Sequence, residues 1–274
     1  MNAPHVLVFD SGVGGLSIAA CLRAHLPAVR LSYLADTAGF PYGDQPEATV
    51  IHRCVELVER LMTDVPVNLV VVACNTASTV VLPALRERLG IPVVGVVPAI
   101  KPAAALTQNG RLGVLATPAT VRRPYTDDLI LRFAAHCEVT RVGHSGLVRW
   151  AEDKVAGEPV PLEALREAVK PLGEAGVDTV VLGCTHYPLI REELAQVLPG
   201  VRHWVDSGEA IARRVAFLLE EAGLDADGVL DEGELGLAAR FSGAAPAALD
   251  AFLPRLGLQP GLVWDQWPGL SETS

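Results

Sequence analysis

Short apolar runs rich in β-branched residues recur along this chain, and two are especially clear: Leu69-Val70-Val71-Val72-Ala73 and Thr179-Val180-Val181-Leu182-Gly183. Neither alternates apolar with polar side chains. Each therefore reads as a strand buried on both faces, as strands of a parallel sheet are. Six further runs belong to the series: Val6–Phe9, Val29–Leu34, Pro92–Val97, Leu112–Leu115, Val139–Val142 and Val201–Val205. Helical patterns lie between them at Leu16–His25, Glu47–Thr63, Thr79–Leu89, Arg122–Ala135, Leu162–Ala175 and Ile190–Leu198. This alternation predicts an α/β fold, with parallel sheets flanked by helices and right-handed crossovers.

The two halves echo one another. A turn, Asp10-Ser11-Gly12, follows the first strand, and Ala116-Thr117-Pro118-Ala119-Thr120 follows the strand Leu112–Leu115 in the same manner. The pattern suggests an internal duplication. Pro98 and Pro102 mark one boundary, and Asp206-Ser207-Gly208-Glu209, opening a helix at Ala210–Glu220, marks the return. The expected domains are 1–97 with 207–274, and 98–206. The tail from Pro260 to Ser274 reads as a packed extension or a frayed end.

Composition narrows the function classes. With 22 Lys and Arg against 32 Asp and Glu the net charge is −10, which argues against nucleic acid or an anionic membrane as partner. No apolar run approaches the roughly 20 residues of a membrane helix. The start, Met1-Asn2-Ala3-Pro4-His5, has no signal-peptide pattern, so a cytoplasmic protein is expected. Five cysteines without regular spacing make neither a disulfide framework nor a zinc site. Cys21, Cys54 and Cys137 read as structural. The acidic stretch Asp225–Glu234 reads as a surface loop. Aligned as a calcium loop, it would put Gly223 at the first ligand position.

The remaining two cysteines end the two clear strands, in Cys74-Asn75-Thr76 and Cys184-Thr185-His186. Ligands of open parallel sheets sit just beyond the carboxyl ends of strands. One such cysteine would read as a buried core residue, but two in matched positions read as functional. A thiol at a helix N-terminus is made more acidic by the positive helix end. Asp10-Ser11-Gly12-Val13-Gly14-Gly15 gives a tight turn that a ligand can approach. It is not a dinucleotide fingerprint, since Ser17 stands where a third glycine belongs. For Phe40-Pro41-Tyr42-Gly43 the residues leave open a ligand loop or a plain turn with Tyr42 stacked on the surface. His186 and Glu152 could hold or relay protons at the thiols, although Ala151-Glu152-Asp153-Lys154 by itself reads as a solvated helix face.

Two thiols of similar acidity suit acid–base chemistry at a carbon centre, one taking a proton as thiolate and the other giving one as thiol. Pyridoxal phosphate would need a lysine. The three lysines, Lys101, Lys154 and Lys170, lie outside the strand-end motifs, so no cofactor is expected. Carbanion stabilisation then falls to preorganised donors. An anionic substrate would be held by backbone N–H groups and the hydroxyls of Ser11, Thr76 and Thr185.

From Val6 to about Arg213 the chain resembles the glutamate racemases, within the wider aspartate/glutamate racemase superfamily. The resemblance rests on Phe9–Gly15, Pro41-Tyr42-Gly43, Ala73–Thr79, Gly183–Ile190 and Asp206–Ala212. It implies cofactor-independent interconversion of L- and D-glutamate, supplying D-glutamate to peptidoglycan in the bacterial cell wall. It also implies two pseudo-symmetric α/β domains with the active site between them, and a homodimer. Matched position by position, Cys74 and Cys184 are the acid/base pair, acting on D- and L-glutamate respectively. Asp10 assists the first thiol and His186 the second, with Glu152 as a further acidic helper. Asp10, Ser11, Tyr42, Gly43, Asn75, Thr76, Thr185 and His186 match substrate-binding positions, and Thr117 and Thr120 lie near them. The competing readings are a racemase of aspartate or another small acid, a cysteine hydrolase or lyase, and a non-catalytic binding protein.

Overall fold

The computed structural model describes residues 3–224, 226, 230 and 232–269. Its strands, in chain order, are β1 (His5–Asp10), β2 (Arg30–Ala35), β3 (Leu69–Val72), β4 (Val93–Gly95), β5 (Arg111–Ala116), β6 (Glu138–Gly143), β7 (Thr179–Leu182), β8 (His203–Val205), β9 (Gly236–Phe241) and β10 (Gln259–Trp264). The chain divides into two compact units, Met1–Val96 with Gly208–Ser274, and Val97–Ser207. The first holds a six-stranded sheet in the order β10-β9-β2-β1-β3-β4, the second a four-stranded sheet in the order β6-β5-β7-β8. Every strand pair is parallel. The α/β expectation holds, and the eight anticipated strands appear with ends moved by at most two residues.

The two sheets repeat one order. In the first, the chain leaves β1 for β2 on one side and returns to β3 on the other. In the second it leaves β5 for β6 and returns to β7. The reversal between β1 and β3, and between β5 and β7, opens a crevice at the strand ends where ligands bind in such sheets. Cys74 follows β3 and Cys184 follows β7, so each thiol stands at the switch point of its own sheet.

Packing explains the helices. In the first unit Val50, Cys54, Val58 and Leu61 of the helix Glu47–Asp64 form one apolar stripe against Leu7, Phe9, Leu34, Val70 and Val72 of the sheet. In the second, Ile100, Ala103 and Ala104 join Leu129 over Leu112, Val114 and Val181. Each such large apolar side chain contributes about 1.5–3 kcal/mol by leaving water. Cys54 belongs to the first of these cores and Cys137 packs partly buried against the second, in keeping with structural roles. No helix among the described residues is long and apolar enough to cross a membrane.

The structure corrects several expectations. The helix expected at Thr79–Leu89 begins at Leu82, with a separate turn of helix at Asn75–Ser78; Pro83 sets the later start, as proline does in a first turn. The helix Ile100–Leu106 had no sequence counterpart, and of Gly146–Ala156 only Ala151–Lys154 reads as helical in the sequence. β9 and β10 had no counterpart either. β9, Gly236-Leu237-Ala238-Ala239-Arg240-Phe241, carries no β-branched residue. β10 carries Pro260 and Gly261, which an edge strand tolerates. The tail therefore begins as an edge strand, while 270–274 lie outside the described residues. So do 225, 227–229 and 231 of the acidic stretch.

Candidate active site

In the first unit the turn after β1 and the end of β3 meet. Asp10 is fully buried, and its Oδ1 accepts from the Gly12 N–H at 3.0 Å and the Ser11 hydroxyl at 3.4 Å. The Tyr33 hydroxyl donates to the Gly12 carbonyl and holds the turn from below. Ser11 Oγ lies 3.7 Å from Cys74 Sγ. Cys74 caps the short helix Asn75–Ser78, its Sγ accepting from the Ala77 N–H at 3.5 Å. Asn75 is buried, and its Oδ1 has no hydrogen-bond partner among the described residues. Buried acceptors are nearly always satisfied, so this oxygen suits a donor brought by a ligand. Thr76 is half-buried beside it.

Close packing at this junction requires glycine. A Cβ on Gly15 would stand 2.9 Å from Asp10 Cβ and 3.1 Å from Ala73 Cβ. The second unit repeats the device, where a Cβ on Gly183 would stand 3.0 Å from Ala116 Cβ and 3.3 Å from the Leu115 carbonyl. The residue before each cysteine thus packs against the neighbouring strand's end.

In the second unit the segment after β7 does not enter an α-helix directly, contrary to expectation. A single 3-10 turn, Tyr187–Ile190, comes first, and the helix Arg191–Val197 follows. Pro188 has no N–H for the Cys184 carbonyl, which accepts from Tyr187 N at 3.1 Å instead. Cys184 Sγ lies 3.8 Å from His186 Nδ1, and His186 Nε2 lies 2.7 Å from Glu152 Oε1. Glu152 is therefore not on a solvated face. Helix Gly146–Ala156 turns it inward, with its side chain 19% exposed. Burial alone would lower the His186 pKa, but hydrogen bonds with Cys184 and Glu152 outweigh it and hold the imidazole well above its ordinary 6.5. A charged imidazolium between a thiol and a carboxylate stabilises the thiolate. Thr185 is buried beside Cys184. Thr117, after β5, caps its helix through Oγ1, 3.3 Å from Thr120 N and 3.0 Å from Thr120 Oγ1.

The loop carrying Tyr42 and Gly43 resolves the open choice against a surface turn. The Tyr42 ring is buried and its hydroxyl donates to Asp36 Oδ2 at 2.6 Å, while Gly43 is exposed. Asp36 is a hub that the sequence reading missed. Arg53 grips it in bidentate fashion at 2.6 and 2.7 Å, and Ser242 donates to it at 2.5 Å. Burial alone would raise its pKa, but Arg53 and the hydroxyls of Ser242 and Tyr42 hold it below the ordinary value. Burial, then the neighbouring Asp36 charge, push the Tyr42 hydroxyl far the other way. An acid directly after β2, much as Asp10 ends β1, was the available signal.

Cys74, Asp10 and Ser11 thus form one cluster, and Cys184, His186 and Glu152 another. Each joins a thiol to groups that can orient it or hold a proton. Among the described residues no group of three or more His, Cys, Asp or Glu is arranged to hold a metal ion.

Comparison with known proteins gives one family. The profile of the Asp/Glu/Hydantoin racemase family matches residues 16–215. A glutamate racemase of Klebsiella pneumoniae (strain 342) is 55% identical over 225 residues, 81% of this chain and 80% of its own. The crystal structure of Escherichia coli glutamate racemase in complex with L-glutamate and the activator UDP-MurNAc-ala matches with a TM-score of 0.85 at 47% identity, over 96% of this chain and 98% of that one. The glutamate racemase of Francisella tularensis in complex with D-glutamate matches with a TM-score of 0.71 at 26% identity, over 97% and 98%.

Proposed function

This chain belongs to the Asp/Glu/Hydantoin racemase family, and we propose that it interconverts L- and D-glutamate by two-thiol acid–base catalysis without a cofactor. The observation that carries the reading is the repeated switch point, with one thiol at each and a distinct set of proton-handling neighbours beside it. Cys184, as thiolate, takes the α-proton of L-glutamate, and the electron pair of the broken C–H bond stays on the α-carbon. Cys74, as thiol, returns a proton to the opposite face, giving D-glutamate and exchanging the protonation states of the two sulfurs. D-glutamate reacts by the same path in reverse. No electrons enter or leave.

The neighbours divide the work. His186 supports the Cys184 thiolate with Glu152 behind it, and Asp10 with Ser11 orients the Cys74 thiol. The unsatisfied Asn75 Oδ1 suits the substrate ammonium, and the hydroxyls of Ser11, Thr76 and Thr185 suit its carboxylates. The product serves peptidoglycan synthesis in the bacterial cytoplasm, and the enzyme acts as a homodimer.

The test is the purified protein with L-glutamate in D2O and no added cofactor, with optical rotation followed alongside α-deuterium by mass spectrometry. Rotation should decay to zero while deuterium enters the α-position. No change in either, with decay on L-aspartate instead, would reassign the substrate; no change with either acid would defeat the racemase reading.

A further inference from the structure

We infer that the ion pair between Lys154 and Glu193 is a positioning clamp for the second thiol, an inference that rests on the racemase reading above. Lys154 Nζ lies 2.8 Å from both carboxylate oxygens of Glu193, and the two side chains are only 9% and 20% exposed. Among the described residues Arg53–Asp36, at the first unit's Asp36 hub, and His186–Glu152, within the site itself, are comparably withdrawn; pairs such as Arg166–Glu163, 52% and 89% exposed, and Arg213–Glu209, 63% and 67%, lie largely in water. Pairs of that kind contribute little. Of the three lysines, Lys154 is the one withdrawn from solvent; Lys101 and Lys170 are exposed.

The place of the pair gives it its consequence. Glu152 and Lys154 are two residues apart, about 200° around the helix, so the helix is gripped from two sides. Glu152 meets His186, and Lys154 meets Glu193. Both partners belong to one short stretch that begins at Cys184 and runs through the turn Tyr187–Ile190 into the helix Arg191–Val197. Between them Tyr187, fully buried, donates to the His144 carbonyl at 3.2 Å, just before the helix Gly146–Ala156 begins. The stretch carrying the thiol is thus fastened to the Glu152 helix at three successive points. A withdrawn ion pair costs desolvation that an apolar pair would not. What it supplies is a fixed distance at the C-terminal turn of the helix, half a turn beyond Glu152. That distance sets the Glu152 carboxylate on His186, and through His186 the thiol.

Enantiomers have equal free energy, so a weakened clamp must lower kcat/KM equally in both directions, and its side is read from isotope effects. In Lys154→Met, kcat should fall between about tenfold and a hundredfold, as small misplacements near a reacting centre do, with KM nearly unchanged. The deuterium effect on kcat/KM should rise for α-deuterated L-glutamate, whose deuteron Cys184 removes, and fall for α-deuterated D-glutamate. Alkylation of Cys184 by iodoacetamide, read by peptide mass spectrometry, should slow relative to Cys74. Glu193→Gln should behave alike, and Lys154→Arg, which keeps the charge, should restore the unsubstituted values. Folding is checked by circular dichroism for each variant. An unchanged alkylation ratio in the folded variants would overturn the clamp, as would unchanged isotope effects in an active enzyme. The alkylation ratio needs no turnover, so it decides the clamp even if the unsubstituted protein leaves glutamate untouched.

Discussion

Cys74 and Cys184 start from the same ordinary acidity and differ only in their neighbours. One sits 3.7 Å from a serine hydroxyl beside a buried aspartate; the other sits 3.8 Å from an imidazole held by a glutamate. In the two-thiol mechanism proposed above, each thiol serves one face of the substrate, and neither replaces the other. Cys74→Ala and Cys184→Ala should each lose at least roughly 10³-fold in turnover, in the upper range for a positioned acid or base, while circular dichroism shows a folded chain. Full turnover in either, at matched purity, would end the two-thiol mechanism. His186→Asn should cost less, about 10²-fold, because the thiol remains. At this scale the sequence was legible where chemistry and position coincide, as at the cysteines, Asp10 and His186. Glu152 was ambiguous because its neighbours Asp153 and Lys154 are charged, and only the tertiary fold turns it toward His186. Asp36 was missed because its place directly after β2 was its only signal: Arg53 and Ser242 lie 17 and 206 residues away in the chain, and Ser242 arrives only when β2 and β9 pair.

Elements, by contrast, were legible wherever burial on both faces forced β-branched runs. They failed where another rule prevailed: Pro83 delaying a helix, Pro188 forcing a tighter turn after Cys184, and an edge strand tolerating Pro260. What joins strand to site is the close approach at the two switch points. A methyl on Gly15 or Gly183 meets carbon atoms near 3 Å, and overpacking of this sort typically costs about 1–3 kcal/mol. Gly15→Ala and Gly183→Ala should each lower the melting temperature in a calorimetric scan and reduce turnover in the surviving enzyme, since the displaced atoms border Cys74 and Cys184. Gly200→Ala, where an added methyl meets nothing within 4 Å, is the control and should melt as the unsubstituted protein does. Equal melting of all three would mean that the strand ends yield more easily than their packing implies.

The duplicated strand order runs through both units, in β1–β4 and β5–β8, and the sequence showed it only as paired turns and two matched cysteine strands, because two sheets can share a topology with little identity between their residues. The two units also carry different buried ionisable groups, which makes acid stability a two-part property. In the first unit His5 is buried against Ser32. Burial first, then the charges of Arg30 and Arg240, lower its pKa from 6.5 to about 4. The unfolded chain therefore takes up a proton that the folded chain refuses. Stability should fall as pH drops from 6.5 through about 4, by on the order of 3 kcal/mol in all, and this contribution levels off below. In the second unit Asp178 accepts from the Thr107 and Thr179 hydroxyls and from the Gln108 and Asn109 N–H groups. Burial alone would raise its pKa, yet these bonds hold it at about 2, against an ordinary 3.8. Its contribution is complete above 3.8 and disappears as pH falls toward 2. Urea midpoints measured from pH 7 to pH 2 should thus decline in two stages. His5→Gln should flatten the upper stage and leave the lower, and Asp178→Asn should do the reverse. A decline untouched by either substitution would place the acid sensitivity in other groups.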